Sequence, residues 1–295
     1  MVAIVGRPNV GKSTLLNKIL GQKVAIVSKV PQTTRHQIRG IYNDPRGQIV
    51  FIDTPGLHRG KDKLDEFMNS ASSATFDSVD CLIYLVDTTR RIGQEEESIA
   101  QQLRSVKTPI ILGLNKVDLK KNSEISEYIS FWEKVKGKPV TEMKKFSMIA
   151  LSAQEGINIP KLIDLIFEYL PKGPALYPED QVSDVPQRLV MAEIIREKLF
   201  EVLRQELPHS VGVIIEDVGT IKKTLHIKAL IYIERGSHKE IVIGKKGQML
   251  KNIGTLARHD LESLLKTKIF LEIFVKVQEN WRDNVGLLQE FGYSF

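Results

Sequence analysis

The sequence predicts an α/β protein in two parts: a first half with a mainly parallel sheet between helices, then a smaller α+β half. Three observations carry this. The apolar run VAIV leads into the glycine-rich stretch Gly6 to Ser13 and then into the helically spaced TLLNKIL, a strand, loop and helix in immediate succession. Strand-like and helix-like segments continue to alternate as far as Leu170. Four prolines between Pro171 and Pro186 then interrupt the chain, and the pattern beyond them changes.

In chain order, the first-half strands are VAIV, IVFI, CLIYLV, PIILGL and SMIAL, and GIYN leads into a strand antiparallel to its neighbour. The helical run IPKLIDLIFEYL closes this half. The prediction is a domain over residues 1–173, a linker over 174–186 and a second domain over 187–295, and 295 residues suffice for two separate cores. After the linker, Gln187 to Glu206 has helical spacing, with Leu189, Ile194, Leu199, Phe200 and Leu203 on one side. The strands VGVIIEDV and TLHIKALIYIE follow. In VIGKKGQMLKNIGTLARHDLESLL the residues Gly244, Lys245, Lys246 and Gly247 separate two helices, and IFLEIFVKV is the last strand. ENWRDNVGLLQEFGY reads as a closing helix with Trp281 as a core anchor.

The 42 basic and 36 acidic side chains give a net charge of +6. All of it falls in the first 173 residues, and the second half is neutral overall. A nucleic-acid site in the second half must therefore rest on local clustering, and Arg235 to Lys251 holds five Lys or Arg against one Glu. No stretch approaches the length of a transmembrane helix. Met1 runs straight into the first strand, so no signal peptide is expected. Cys81 is the single cysteine; it sits in an apolar run, which suits a buried thiol in a reducing compartment.

The chemistry begins at Gly6, Arg7, Pro8, Asn9, Val10, Gly11, Lys12 and Ser13, which match G-x-x-x-x-G-K-[ST]. Glycines let backbone N–H groups close around phosphate oxygens, and the lysine ammonium reaches the terminal phosphates. Ser13 offers a hydroxyl to Mg²⁺, and Thr14 begins a helix whose N-terminus favours an anion. Asp53 and Gly56, in DTPG after IVFI, suit a water-mediated Mg²⁺ contact and an N–H that senses a γ-phosphate. Asn115, Lys116 and Asp118 follow PIILGL. The Asp118 carboxylate accepts from both the N1–H and the exocyclic amine of guanine, a donor pair that adenine lacks. Asn115 and Lys116 would brace the base and the loop, and Ser152 and Ala153 after SMIAL suit a backbone contact to the base edge.

These ordered motifs resemble the translation-factor-like GTPases, and GRPNVGKS, PQTTRH and DTPGLH are similar to those of the Era-like family of bacterial GTPases. The second half resembles a type II, bacterial KH domain in its order of helix, two strands, two helices and strand. The resemblance thus implies a P-loop GTPase domain followed by a KH domain. It implies GTP and GDP as ligands with Mg²⁺, with Lys12, Thr34 and Gly56 in catalysis and Ser13, Thr34 and Asp53 at the metal. Thr33 competes with Thr34; the metal threonine of related GTPases immediately precedes the arginine of this motif, which favours Thr34. Leu57 stands where many GTPases place a water-orienting glutamine, so slow hydrolysis is expected. Asn9 resembles the residue that coordinates K⁺ in relatives; its other role is to cap its own loop.

In the KH-like half, Gly244 and Gly247 let the chain approach an RNA backbone without a Cβ in the way, and lysines add charge. Arg235, Lys239, Ile243, Gly244, Lys245, Lys246, Gly247 and Lys251 are the expected RNA contacts. Aromatic residues are sparse near the turn, which points to hydrogen bonds and aliphatic contacts rather than stacked rings. The family further implies a site at the 3′ end of 16S ribosomal RNA, a role in 30S assembly, and a cytoplasmic monomer with peripheral inner-membrane association, although no amphipathic membrane helix is evident. Two other readings stay open. A P-loop kinase is opposed by NKVD, and a KH-like protein-interaction module is opposed by the paired glycines and favoured by the second half's zero net charge.

Overall fold

The computed structural model describes residues 1–28, 35–55, 63–64, 76, 78–119, 124–203 and 211–293. They form two compact units. One holds residues 1–25, 35–55 and 76–184; the other holds 185–293 together with two short pieces, 26–28 and 63–64. These pieces come from the predicted first domain. The Val27 N–H donates to Glu197 Oε1 at 3.2 Å, and the Lys63 N–H donates to Asp283 Oδ1 at 3.3 Å.

The first unit is a six-stranded sheet in the order β2-β3-β1-β4-β5-β6. Its strands are β1 (Val2–Val5), β2 (Ile38–Asp44), β3 (Gly47–Asp53), β4 (Cys81–Asp87), β5 (Ile110–Asn115) and β6 (Phe146–Ala150). Only β2 is antiparallel, pairing Ile38 with Asp53 through Asp44 with Gly47 across a tight turn. β1 lies between β3 and β4 and is buried at all four positions, as a strand covered on both faces must be. The helices are α1 (Lys12–Leu20), α2 (Gln94–Arg104), α3 (Ile125–Lys136) and α4 (Ile159–Tyr169). α2 and α3 bury Ile99, Leu103, Tyr128 and Trp132 against Leu82, Tyr84 and Leu112 of the sheet. Cys81 is buried, and burial pushes its thiol up to about 12, so it is chemically inert.

Residues 174–184, predicted as linker, run along β2 within the first unit. The Ile41 N–H donates to the Val182 carbonyl at 2.8 Å, Asn43 Nδ2 donates to the Glu179 carbonyl at 2.7 Å, and Arg39 pairs with Asp184 at 3.0 Å. The prolines stop helix formation and leave an extended chain free to bond to the edge strand.

The second unit has α5 (Gln187–Leu203), β7 (Val211–Ile221), β8 (Thr224–Ile233), α6 (Gly236–Ile243), α7 (Gln248–Leu265) and β9 (Ile269–Val277). Its sheet order is β7-β8-β9, with β7–β8 antiparallel and β8–β9 parallel. α5 carries no single apolar face: Met191, Ile194, Ile195, Leu199 and Phe200 are all buried, because the helix packs on both β7 and α7. Leu189 of the predicted face is only partly buried. A short 3-10 turn (Trp281–Asp283) and α8 (Val285–Glu290) close the chain; Trp281 and Phe291 cover the outer face of the sheet at Gly212, where a Cβ would lie 2.6 Å from the Phe291 ring.

Candidate functional site

The loop between β1 and α1 requires its glycines. Gly6 has φ 149°, and a Cβ there would run into the Leu85 carbonyl oxygen. Gly11 has φ 105°, and its Cβ would lie 2.5 Å from Asn115 Nδ2. Asn9 also has positive φ, at 64°. α1 starts at Lys12 with no side-chain cap and no acidic residue in its first turn, which leaves its positive end open to an anion. Lys12 is buried, and its ammonium donates to the Gly6 and Arg7 carbonyls at 3.0 Å each. Burial pulls it down to about 8, against the raising effect of Asp53 and Glu96.

Ser13 Oγ donates to Asp53 Oδ2 at 2.6 Å. Asp53 is fully buried, and burial raises its carboxyl to about 6 although Lys12 and Ser13 oppose this. Its other oxygen, Oδ1, has no hydrogen-bond partner among the described residues. A buried carboxylate oxygen without a donor, beside a serine hydroxyl and a lysine, fits a hydrated Mg²⁺. No group of three His, Cys, Asp or Glu side chains exists among the described residues to cage a metal alone.

Asn115, at the end of β5, joins two loops: Nδ2 donates to the Val10 carbonyl at 2.7 Å, and Oδ1 accepts from the Ala153 N–H at 2.9 Å. The amide that the sequence assigns to the base edge is therefore occupied by Asn115 here. Ser152 is buried and its Oγ accepts from the Glu155 N–H at 3.1 Å, which shapes that loop. Lys116 has φ 70°, and its ammonium reaches the Asn9 carbonyl at 3.0 Å and Asp87 Oδ2 at 2.6 Å. Burial alone would raise the Asp87 carboxyl, but hydrogen bonds from Lys116 and Thr89 hold it below the usual range. Asp118 is exposed at the mouth of the loop. Pro8 and Thr14 are half-buried and Val10 is buried. Arg7 turns its side chain into the interior rather than toward the loop mouth, with Nε 2.6 Å from Glu96 Oε1. Thr33, Thr34, Gly56 and Leu57 lie outside the described residues.

In the second unit, Gly244 has φ 69°, and a Cβ there would sit 2.5 Å from Met249 Cβ; Gly247, at φ 78°, faces open space. Lys246 between them also has positive φ, at 53°. Lys245, Lys246, Arg235, Lys239 and Lys251 are exposed, and Ile243 is half-buried. The turn borders an open groove of about 540 Å³ between α7 and β9. Leu250, Lys251, Gly254 and Arg258 line one wall, and Ile269, Phe270 and Ile273 the other. Phe270 is half-exposed, so an aromatic ring does stand at the groove, supplied by β9 rather than by neighbours of the turn. Arg258 and Phe270 were absent from the sequence-derived set. The helical spacing of Lys251, Gly254 and Arg258 and the alternation along IFLEIFVKV were the signals available.

A phosphate-binding loop clamped by an asparagine from the next-but-one strand of the sheet, followed by a helix–strand–strand–helix–helix–strand unit with a glycine-paired turn, defines a P-loop GTPase joined to a KH domain. The profile described as 50S ribosome-binding GTPase matches residues 1–116, and that described as KH domain matches residues 206–282. GTPase Era of Halothermothrix orenii is 44% identical over 294 residues, covering 99% of this chain and 97% of its own. The chain belongs to the GTPase Era family, and it is a GTPase.

Two crystal structures superpose along the full length. Era in complex with MgGDPNP and nucleotides 1506–1542 of 16S ribosomal RNA is 37% identical with a TM-score of 0.93, covering 100% of this chain and 98% of that one. A point variant of Aquifex aeolicus Era bound to GDP.AlF4⁻ is 38% identical with a TM-score of 0.92 and the same coverage.

Proposed function

We propose that this GTPase couples its nucleotide state to binding of the 3′ end of 16S ribosomal RNA, and acts in this way in assembly of the 30S subunit. The observation that carries the reading is the coexistence of the Asn115-clamped phosphate loop with the Gly244–Gly247 turn at the mouth of a groove lined by Lys251 and Arg258. The relative bound to nucleotides 1506–1542 supports the choice of RNA.

In this reading GTP and GDP lie on Gly6 to Thr14, with guanine read by Asp118 and bordered by Asn115, Lys116, Ser152 and Ala153. Lys12 neutralises the β- and γ-phosphates. Ser13, Asp53 and Thr34 hold Mg²⁺, which when bound neutralises charge developing on the transferred phosphoryl group. The Gly56 N–H senses the γ-phosphate. Leu57 has no polar atom to orient water, so turnover is slow unless another group or a K⁺ at Asn9 assists. Arg235, Lys239, Ile243, Lys245, Lys246 and Lys251 meet the RNA.

Among the described residues no helix is long and apolar enough to cross a membrane. The reading places a monomer in the cytoplasm; peripheral attachment to the inner membrane rests on family resemblance alone.

The test is binding of a 16S 3′-end oligonucleotide and of a scrambled one, in the presence of a GTP analogue and of GDP. Gly247→Asp is the preferred control, because its side chain enters open space and carries only the strain of a left-handed backbone. Sequence-dependent binding that differs between nucleotides and is lost in the control supports the reading. Equal weak binding throughout would make the second unit a protein-interaction module.

A further inference from the structure

Beneath the phosphate loop lies a buried charged cluster that no nucleotide role accounts for. Glu96, in the first turn of α2, is fully buried, and Arg7 is 7% exposed. Arg7 Nε and Glu96 Oε1 form an ion pair at 2.6 Å, and the Tyr84 hydroxyl of β4 donates to the other Glu96 oxygen. Arg7 Nη1 also lies 3.8 Å from the exposed Glu95. Nη2 is buried with no hydrogen-bond partner among the described residues, and the Nε–Oε1 contact is a close ion pair rather than an aligned hydrogen bond. Tyr128 of α3 and Lys12 at the start of α1 complete the titratable surroundings of Glu96.

The residue after the first loop glycine could have stayed in solvent, and buried ion pairs are in general weak contributors to stability because both charges lose water. This one instead ties the loop to the sheet and to α2. The main chain of Arg7 completes the link, since its carbonyl accepts from the Lys12 ammonium at 3.0 Å. One residue therefore joins Glu96 at its guanidinium to the phosphate-binding lysine at its carbonyl.

We propose that Glu96, held by the Tyr84 hydroxyl, is a positioning residue for nucleotide binding, anchoring Arg7 and thereby setting the loop backbone that receives the phosphates. This rests on the assignment of Gly6 to Thr14 as the nucleotide cradle. Removing the carboxylate leaves a buried guanidinium without its counter-charge, so Arg7 moves and carries the Gly6 and Arg7 carbonyls with it.

The experiment measures, on the full chain at pH 8, where Glu96 is ionised, the Kd of a fluorescent GDP, the KM and kcat for GTP, and the Tm, for wild type, Glu96→Gln, Arg7→Met and the double variant. Wild type that binds no GDP would sink the cradle assignment itself. With wild-type binding established, Glu96→Gln raises Kd and KM about tenfold with kcat per folded molecule within about twofold, since only binding common to ground and transition states is lost. The double variant binds no worse than about twofold below the weaker single, because both substitutions break one link. A purely structural role would lower Tm and the folded fraction but leave the Kd of folded protein unchanged. That outcome, or additive losses in the double variant, overturns the proposal. Should Glu96→Gln not fold, Tyr84→Phe is measured in the same way: a raised Kd supports the proposal and an unchanged one overturns it.

Discussion

The Lys116 ammonium sits 2.6 Å from the Asp87 carboxylate, so the end of β4 holds the lysine that reaches the Asn9 carbonyl of the phosphate loop. Lys116 is kept at φ 70°, a left-handed conformation that a side chain adopts only when its surroundings enforce it. Asp87→Asn removes the charge while preserving shape. It should weaken GDP and GTP together, roughly tenfold, the loss expected for one hydrogen bond to a charged partner. Titration with a fluorescent GDP checks this, and unchanged affinity would show that Lys116 is placed by its backbone alone.

Gly11→Ala should strike the Asn115 clamp directly. The new Cβ would lie 2.5 Å from Asn115 Nδ2, at φ 105°, so the amide must abandon either the Val10 carbonyl or its present position. The expected result is a stability loss of about 2–4 kcal/mol from strain and displaced packing. Nucleotide affinity should fall with it, read from urea unfolding and GDP binding on one sample.

The paired glycines of the second unit should respond differently to the same change. Gly247→Ala meets open space and carries only the left-handed backbone penalty, about 1 kcal/mol. Gly244→Ala combines a 2.5 Å encounter with Met249 Cβ and a backbone at φ 69°, ψ 176°, a conformation essentially reserved for glycine, for about 3 kcal/mol altogether. Thermal unfolding ranks the two, and equal shifts would contradict the packing described.

Glu96 makes a contribution to stability that depends on pH. Burial, opposed by Arg7 and Lys12, raises its carboxyl from 4.5 to about 7. The folded state therefore holds the proton more tightly than the unfolded chain does. Stability from this group is present below about 4.5 and is lost as pH rises toward 7, on the order of 3 kcal/mol in all. Denaturant unfolding of wild type and Glu96→Gln at pH 5 and pH 8 isolates it: the stability of wild type minus that of the variant should fall at the higher pH, where only the wild type ionises at this position.

Specificity for guanine should reside in Asp118. Asp118→Asn replaces one acceptor of the pair with a donor, which suits a base carrying oxygen in place of the exocyclic amine. GTP affinity should fall by about a hundredfold while xanthosine triphosphate gains, since a donor on the variant then faces a donor on guanine where an acceptor stood. Competition between the two nucleotides measures the exchange.

The elements that were legible in the sequence are those whose pattern is local. The first strand, VAIV, matches β1 residue for residue, and IFLEIFVKV matches β9. Gly6 and Gly11 were identifiable because the phosphate-loop pattern specifies backbone shape within eight residues. The face of α5 was not legible: a helix packed on two sides has no single apolar stripe, so the side proposed around Leu189 was only part of what is buried. Phe270 escaped because alternation along β9 shows which residues share a face but not which helix stands opposite.

The residue types suited to phosphate, a metal and guanine follow from the order of side chains along the chain. Each such motif is a short segment whose chemistry depends on its own spacing, and the same holds for the paired glycines at 244 and 247. The partnerships of Asn115 with Val10, Lys116 with Asp87 and Arg7 with Glu96 arise from the sheet order β3-β1-β4-β5. Strand pairing brings segments remote in sequence together at the carboxyl ends of β1, β4 and β5, and burial there decides which charges must be matched.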